Sequence, residues 1–374
     1  MRTLVISDLH LGARGRVDIL RRPELRAPLL EALDGVDRLV LLGDLLELRH
    51  GPVREALGES RGFFADVGRT LPAGAQVVVV PGNHDHELLA PWLERRGRDE
   101  APAQLGLDEE VDVRPGDALG TIGGWLEPLA VRVAYPGVWL RDDVYATHGH
   151  YLDRHVTVPT FERMGIGLMS RITGTAPGAH ATPDSYEATL APVYAWIHAM
   201  AQFAPPERGV GAHAASSRIW KALAGGRSRG RALRRRALRL GFAAGIAALN
   251  RAGLGPLHAD VSGPELRRAG LAAMGAAVAA LEVDAAWVVF GHTHRAGPWP
   301  RDEQGQWRAP TGARLLNTGS WVYEPHFLTR TVNESPYWPG VAAVIDDDAP
   351  PRLERLLGDR GHAELRPASG EGPA

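Results

Sequence analysis

Thr3-Leu-Val-Ile-Ser-Asp-Leu-His10 decides how the rest of this chain reads. Leu4-Val5-Ile6 is a short apolar run of the kind that forms a strand buried on both faces. It stops at Ser7, and Asp8 and His10 follow two residues apart, a spacing that on extended chain points both side chains to one side. The same pattern recurs four times further on. Leu39-Val-Leu-Leu42 runs into Gly43-Asp44-Leu-Leu-Glu47, and Val77-Val-Val-Val80 into Pro81-Gly-Asn83-His84-Asp85. Val144-Tyr-Ala146 runs into Thr147-His148-Gly149-His150, and Trp287-Val-Val-Phe290 into Gly291-His292-Thr-His294. Arg314–Asn317 and Val341–Ile345 add two strands, and Pro28–Leu33 and Gly51–Arg69 have helix-compatible patterns. The alternation predicts α/β layering with polar residues at strand C-termini, where open α/β sheets place their sites.

Between His155 and Glu282 the strand signals vanish. Ala, Leu, Arg and Gly dominate, with helix-like segments at Ser185–Phe203, Ser216–Leu223, Gly230–Leu249 and Pro264–Leu281. This reads as a helical insertion, residues 156–282, interrupting a catalytic domain made of residues 1–155 and 283–348. Residues 349–374 read as a polar, disordered tail. The 374 residues carry 42 basic and 44 acidic side chains, so no global field recruits nucleic acid or anionic membrane. There is no cysteine, which excludes disulfides, thiolate zinc sites, thiol catalysis and iron–sulfur clusters. The first strand starts at Thr3 without a signal-peptide pattern before it, and the longest charge-free apolar runs are too short to span a bilayer. A cytoplasmic protein is expected.

Carboxylate, amide and imidazole at five strand ends suit borderline divalent metals: Mn, Fe, Zn, Co or Ni. Gly43, Gly82 and Gly291 let the backbone turn sharply and approach closely. Each piece alone reads equally well as a turn or a cap. Five in order, each after a strand, read as a metal site.

In this order the motifs resemble the calcineurin-like metallophosphoesterase superfamily. The resemblance implies a four-layer αββα sandwich and two divalent ions, with Mn the leading candidate. One ion would be held by Asp8, His10, Asp44 and His294, the other by Asp44, Asn83, His148 and His292, with Asp44 shared. It also implies hydrolysis of a phosphodiester, pyrophosphate or phosphomonoester by a metal-bridging hydroxide. His84 is then placed to protonate the leaving oxygen or to stabilise charge in the transition state. Asp85 orients His84 or caps the next helix, Glu47 has a supporting or surface role, and His150 reaches the site or lies outside it. Asn317-Thr-Gly-Ser-Trp321 forms either a turn supporting the His-x-His loop or a plain turn with a packed Trp. Asp66, Asp143 and His326 have no motif support.

The motif style is most similar to the UDP-2,3-diacylglucosamine pyrophosphohydrolase branch, which acts on a nucleotide-diphospho-lipid. That branch usually has Arg at the position of His84 and Asp at that of His150, and a smaller insertion. From Pro206 to Leu240 this chain has ten basic residues against one acid, followed by apolar Phe242–Leu249. Such a stretch suits peripheral contact with an anionic membrane at its inner surface, a solvated helix face, or contact with phosphate. A phosphoesterase acting on a lipid-linked or nucleotide substrate is the leading reading. A metal-dependent nuclease and a non-catalytic metal-binding scaffold remain as alternatives.

Overall fold

The computed structural model describes residues 1–98, 102–157, 161–174, 180–202, 246–247, 249–251, 255–258, 263–325, 327–328 and 334–367. Ten strands are described: β1 (Thr3–Ile6), β2 (Arg38–Leu42), β3 (Gln76–Val80), β4 (Asp108–Glu110), β5 (Ala130–Arg141), β6 (Val144–Thr147), β7 (Trp287–Phe290), β8 (Arg314–Asn317), β9 (Val341–Ile345) and β10 (Arg352–Arg355). They form one curled sheet in the order β10-β9-β1-β2-β3-β5-β6-β7-β8, with β4 off the path beside β5. β1, β2 and β3 are parallel, as are β6, β7 and β8. β5 joins the two halves, pairing with β3 through residues 130–133 and antiparallel to β6 through residues 137–141.

Side-chain alternation along the strands builds two cores. Val5, Val40, Leu42, Val78 and Val80 point inward and meet Val138, Leu140, Ala146, Val289 and Leu316 of the other half. Leu4, Ile6, Leu39, Leu41, Val77 and Val79 point outward, under α1 (Pro23–Ala32), α2 (Val53–Thr70) and α4 (Ala118–Leu126). Ala56, Phe63, Phe64 and Val67 of α2 recur at helical spacing on that buried face. Phe63, Phe64 and Val67 taken from water each contribute roughly 1.5–3 kcal/mol. On the far side Val288, Phe290 and Leu315 pack under Ala273, Met274 and Val278 of a helix that we number α7 (Gly263–Ala280). The layers are therefore helix, sheet, sheet, helix, as the sequence resemblance implied.

Two segments differ from expectation. β5 is not among the strands read from the sequence; it contains Pro136 and Gly137, and Pro136 sits where the strand leaves β3 and turns onto β6. Residues 352–355, expected in a disordered tail, form the edge strand β10 on β9. A short helix, α8 (His362–Leu365), follows, and Leu357 and Leu365 bury their side chains beside α1 in the same outer core. These two apolar residues anchor an otherwise polar segment.

Residues 156–282 include, besides α7, the helices α5 (Phe161–Thr173) and α6 (Pro183–Gln202), which pack against each other and follow the short helix α3 (Ala90–Arg96) in chain order. Tyr186, Leu190, Val193 and Tyr194 of α6 pack with Tyr151, Ile166 and Ala277. The Arg208–Arg239 cluster, Ser216–Leu223 and most of Gly230–Leu249 lie outside the described residues, as does His326. Among the described residues no helix is long and apolar enough to cross a membrane.

Candidate metal centre

The loops after β1, β2, β3, β6 and β7 converge at one end of the curled sheet. Strand-like hydrogen bonding continues into them: Asp8 N–H donates to Gly43 O at 3.0 Å, His10 N–H to Asp44 O at 2.8 Å, and Gly291 N–H to His148 O at 3.0 Å. Gly43 has a φ of +84°, and a Cβ there would stand 2.3 Å from Cγ of His148. A Cβ on Gly291 would meet Asp8 Oδ2 at 2.4 Å. These glycines allow the close approach expected of them.

The paired ligands do not converge by extended geometry. Asp8, His10, Asp44, His292 and His294 all have left-handed backbone, with φ between 47° and 66°. Asp and His tolerate that region better than bulkier residues do, and an intervening Leu9 or Thr293 lets each pair aim at the same point.

All seven expected ligands meet here. Asp8, His10 and His294 offer atoms within 4.8 Å of one another, as do Asp44, His148 and His292. His294 Nε2 lies 3.3 Å from Asp8 Oδ1 and 3.1 Å from His10 Nε2. His148 Nε2 lies 3.3 Å from Asp44 Oδ2, and His10 Nε2 lies 3.7 Å from the same oxygen. Asp44 thus faces both groups.

The outer nitrogens explain why the inner ones are free to ligate. His10 Nδ1 is 3.1 Å from Glu47 Oε2, His294 Nδ1 3.0 Å from Glu324 Oε2, and His292 Nε2 2.9 Å from Asp153 Oδ1. His148 Nδ1 donates to Leu42 O at 3.0 Å. Each partner accepts only, so the proton sits on the outer nitrogen and a lone pair faces inward. His10 and His294 then aim two lone pairs at each other across 3.1 Å. That arrangement calls for a cation between them.

Asn83 completes the set, with Oδ1 3.1 Å from both His148 Nε2 and His292 Nδ1. Turned over, its Nδ2 would donate to these nitrogens and to Asp44, and its oxygen would accept from Arg49 Nη2 at 3.0 Å. The turned amide suits inner nitrogens that carry a lone pair and no ion, and Oδ1 inward suits a centre holding protons or cations. Carboxylate, amide and imidazole donors with no competing internal N–H fit divalent ions of the borderline class.

The titration directions agree. Burial works against charge on His148, but Asp44 outweighs it and lifts the imidazole to about 9. His10 and His294 are raised despite burial, His10 by Glu47 and Asp44, His294 by Asp8 and Glu324. Asp44 is held well below the usual carboxylate range by His148 and His84, despite its burial. Protons stand in for positive charge that the carboxylates demand.

His84 sits beside this centre, its ring edge-on to His10 with centroids 4.6 Å apart. Its N–H donates to Asp44 Oδ1 at 2.8 Å, and its Nδ1 is 2.9 Å from Glu47 Oε2. Its Nε2 lies 3.3 Å from Nη1 of Arg49, whose Nη2 donates to Asn83 O at 2.9 Å. Burial and then the Arg49 charge push the imidazole down to about 3. Glu47 is buried and holds both His10 and His84, so its role is supporting rather than surface.

Asp85 neither orients His84 nor caps a helix. Its Oδ1 accepts from Gly82 N–H and its Oδ2 from Leu45 N–H, both at 2.6 Å, tying the β2 and β3 loops together. His150 is buried in an outer layer, with Nε2 3.1 Å from Tyr135 OH and its ring centroid 5.7 Å from that of His148. Asn317 Nδ2 donates to Gly291 O at 2.8 Å and Thr293 Oγ1 at 3.0 Å, so the 317–321 turn does support the His-x-His loop. Asp66 pairs with Arg26 and Asp143 with Arg141, away from the centre. Sequence reasoning missed Arg49, Asp153 and Glu324, which belong to no motif. The one available signal was chain proximity to Glu47, His150 and Trp321.

A search of curated proteins found no match. Among solved structures, the cold-active protein-tyrosine phosphatase of a psychrophilic Shewanella species matches at 15% identity over 96% of this chain and 78% of that one, with a TM-score of 0.29. A point mutant of a cold-active protein tyrosine phosphatase matches at 14% identity over the same shares, with a TM-score of 0.28. Neither likeness carries weight at those scores. The model of the calcineurin-like phosphoesterase family matches residues 1–206, more than half of the chain. With that match spanning four of the five ligand loops, the chain belongs to the calcineurin-like phosphoesterase family.

Proposed function

We propose that the chain is a dinuclear metal-dependent hydrolase of phosphoesters. The observation that carries this is Asp44, whose carboxylate faces His10 on one side and His148 on the other. Asp8, His10, Asp44 and His294 would hold one ion, and Asp44, Asn83, His148 and His292 the other. Bound there, two divalent ions would supply Lewis acidity to the phosphoryl oxygens and lower the pKa of an attacking water.

The chain's own groups do the rest. Glu47 and Asp85 fix the two loops that carry Asp44 and Asn83. Of the two roles expected of His84, its hydrogen bonds support charge stabilisation. With Nδ1–H on Glu47 and Nε2 accepting from Arg49, a neutral His84 has no proton on Nε2 to give a leaving oxygen. Arg49, 7% exposed, brings a permanent positive charge to the same side of the centre. His84→Ala should therefore slow good and poor leaving groups by similar factors.

A lipid-linked or nucleotide substrate fits the insertion best. Leu168, Ile172, Trp196 and Met200 of α5 and α6 are 53–67% exposed, and the arginine-rich sequence follows α6 directly. Apolar side chains beside basic ones suit peripheral contact with an anionic membrane. The test is incubation of Mn²⁺-loaded protein with polar-lipid and soluble-metabolite extracts, followed by mass spectrometry, with Asp44→Asn as control. We expect two ions per wild-type chain, loss of a phosphate-linked lipid, and turnover reduced by at least about 1,000-fold in the variant. Full activity in Asp44→Asn refutes the dinuclear reading, and loss of only soluble esters refutes the lipid one.

A further inference from the structure

Two carboxylates outside every motif each hold one histidine of the His-x-His pair. Asp153 accepts from His292 at 2.9 Å and Glu324 from His294 at 3.0 Å. Their origins differ. Asp153 lies in the 3-10 turn His150–Arg154, where the chain leaves for the insertion, and its Oδ2 also accepts from Tyr194 O–H of α6 at 3.4 Å. Glu324 comes from the loop after β8.

We infer that Asp153 and Glu324 are positioning residues tuning the two ion positions separately, and that α6 reaches the Asp44–His148–His292 position through Tyr194 and Asp153. The inference rests on the dinuclear reading above. An ionised carboxylate on the outer N–H fixes the tautomer and ring angle and makes the inner nitrogen more basic. The two ligand groups share no histidine, so each carboxylate acts on one of them.

Helix α6 is held firmly enough to serve as a support. Glu187 accepts from Tyr135 O–H at 2.5 Å, Tyr151 O–H at 2.7 Å and His86 Nε2–H at 2.8 Å. At the other end His198 Nδ1–H donates to Leu48 O at 3.1 Å, and Gln202 to Gly51 O at 3.1 Å. Tyr194 lies between these anchors, its ring centroid 5.3 Å from the Arg49 guanidinium. A shift of α6 would therefore be felt at Asp153 and hence at His292.

The test is calorimetric titration of the metal-free full chain with Mn²⁺. Asp153→Asn should weaken one class of site by about 10- to 100-fold, the cost of an outer partner, and leave the other unchanged. Glu324→Gln should do the reverse, and Tyr194→Phe should weaken only the class that Asp153→Asn weakens, by a smaller factor. In a His292→Ala background Asp153→Asn should add nothing, whereas in His294→Ala it should keep its full effect. Equal weakening of both classes by either carboxylate variant, or a full Asp153→Asn effect without His292, overturns the inference. Should Asp153→Asn fail to fold, Tyr194→Phe carries the test alone, and no change in either class overturns the link to the insertion. Uptake of fewer than two ions by the wild type refutes the dinuclear reading instead.

Discussion

Gly43→Ala tests whether the approach of the β2 and β6 loops builds the centre. The new methyl would stand 2.3 Å from both Cγ and Nδ1 of His148, where ordinary contact begins near 3.4 Å. Left-handed backbone costs an alanine roughly 1–2 kcal/mol more than a glycine. The imidazole must also retreat, breaking its 3.0 Å bond to Leu42 O in a fully buried place. A buried polar group left unpaired costs roughly 1–3 kcal/mol. The sum, about 2–5 kcal/mol, corresponds to a fall of about 3–6 °C in Tm for a chain of 374 residues. Gly74 provides the control: its φ is +92°, and nothing lies within 4 Å of a Cβ there, so Gly74→Ala incurs the backbone cost alone. Calorimetric melting of both variants, with ion content per chain, separates collision from conformation. If Gly43→Ala melts with Gly74→Ala and keeps its full metal content, the packing argument is wrong.

Three further outcomes follow from the same contacts. Glu47→Gln removes the carboxylate shared by His10 and His84, and should weaken binding at the Asp8–His10–His294 position by about 10- to 100-fold in a Mn²⁺ titration. Asp18 is raised from 3.8 to about 6, first by burial, against the opposing pull of Arg21. An acid whose folded pKa lies above its unfolded value contributes most below the unfolded pKa and loses that contribution as pH rises through the folded one. Urea midpoints of wild type minus Asp18→Asn should therefore decline by the equivalent of roughly 2–3 kcal/mol between pH 4 and 8; a flat difference refutes the burial argument. Glu187→Leu removes the acceptor shared by three buried donors, on Tyr135, Tyr151 and His86, of which Tyr135 O–H can turn to His150 Nε2, and should cost about 2–6 kcal/mol in urea unfolding; a wild-type midpoint would mean that the network does not hold α6.

The strand-end residues were legible because strands and ligands are local in sequence. Four valines at 77–80 can do little but fill a two-sided core, and the polar residues after them must then lie at its edge. The joining strand β5 was not legible, because Pro136 is tolerated only where the strand changes partner, and that is a tertiary fact. The ligand geometry was misread for a similar reason. Extended spacing gives the right side for Asp8 and His10, but their left-handed backbone is imposed by the pairing of two loops. Arg49, Asp153 and Glu324 escaped because a supporting contact needs only a side chain of the right reach. Asp85 shows the converse, a motif residue that serves the backbone of two loops and not its neighbour His84.

Among the described residues seven other than glycine have positive φ, and five of them are the ligands Asp8, His10, Asp44, His292 and His294. At about 1 kcal/mol or more each, that is on the order of 5 kcal/mol held at one end of the sheet. The buried layers beneath hold part of it, yet they cannot relieve the facing lone pairs of His10 and His294. Divalent ions would do so directly, because they bind the folded ligand set and not the unfolded chain. The linkage is about 2.7 kcal/mol of added stability at a free ion concentration of 100 times Kd. Removing the ions with a chelator should therefore lower Tm by several degrees. It should also speed hydrogen exchange first at the amides of Asp8, His10, Gly291 and His292, ahead of the β1–β3 core. These amides hydrogen-bond between the ligand loops, and their partners shift when the imidazoles take up protons in place of cations. Identical melting and exchange with and without chelator would mean that the strain is borne by the scaffold alone, and that the lone pairs are quenched by protons at no cost.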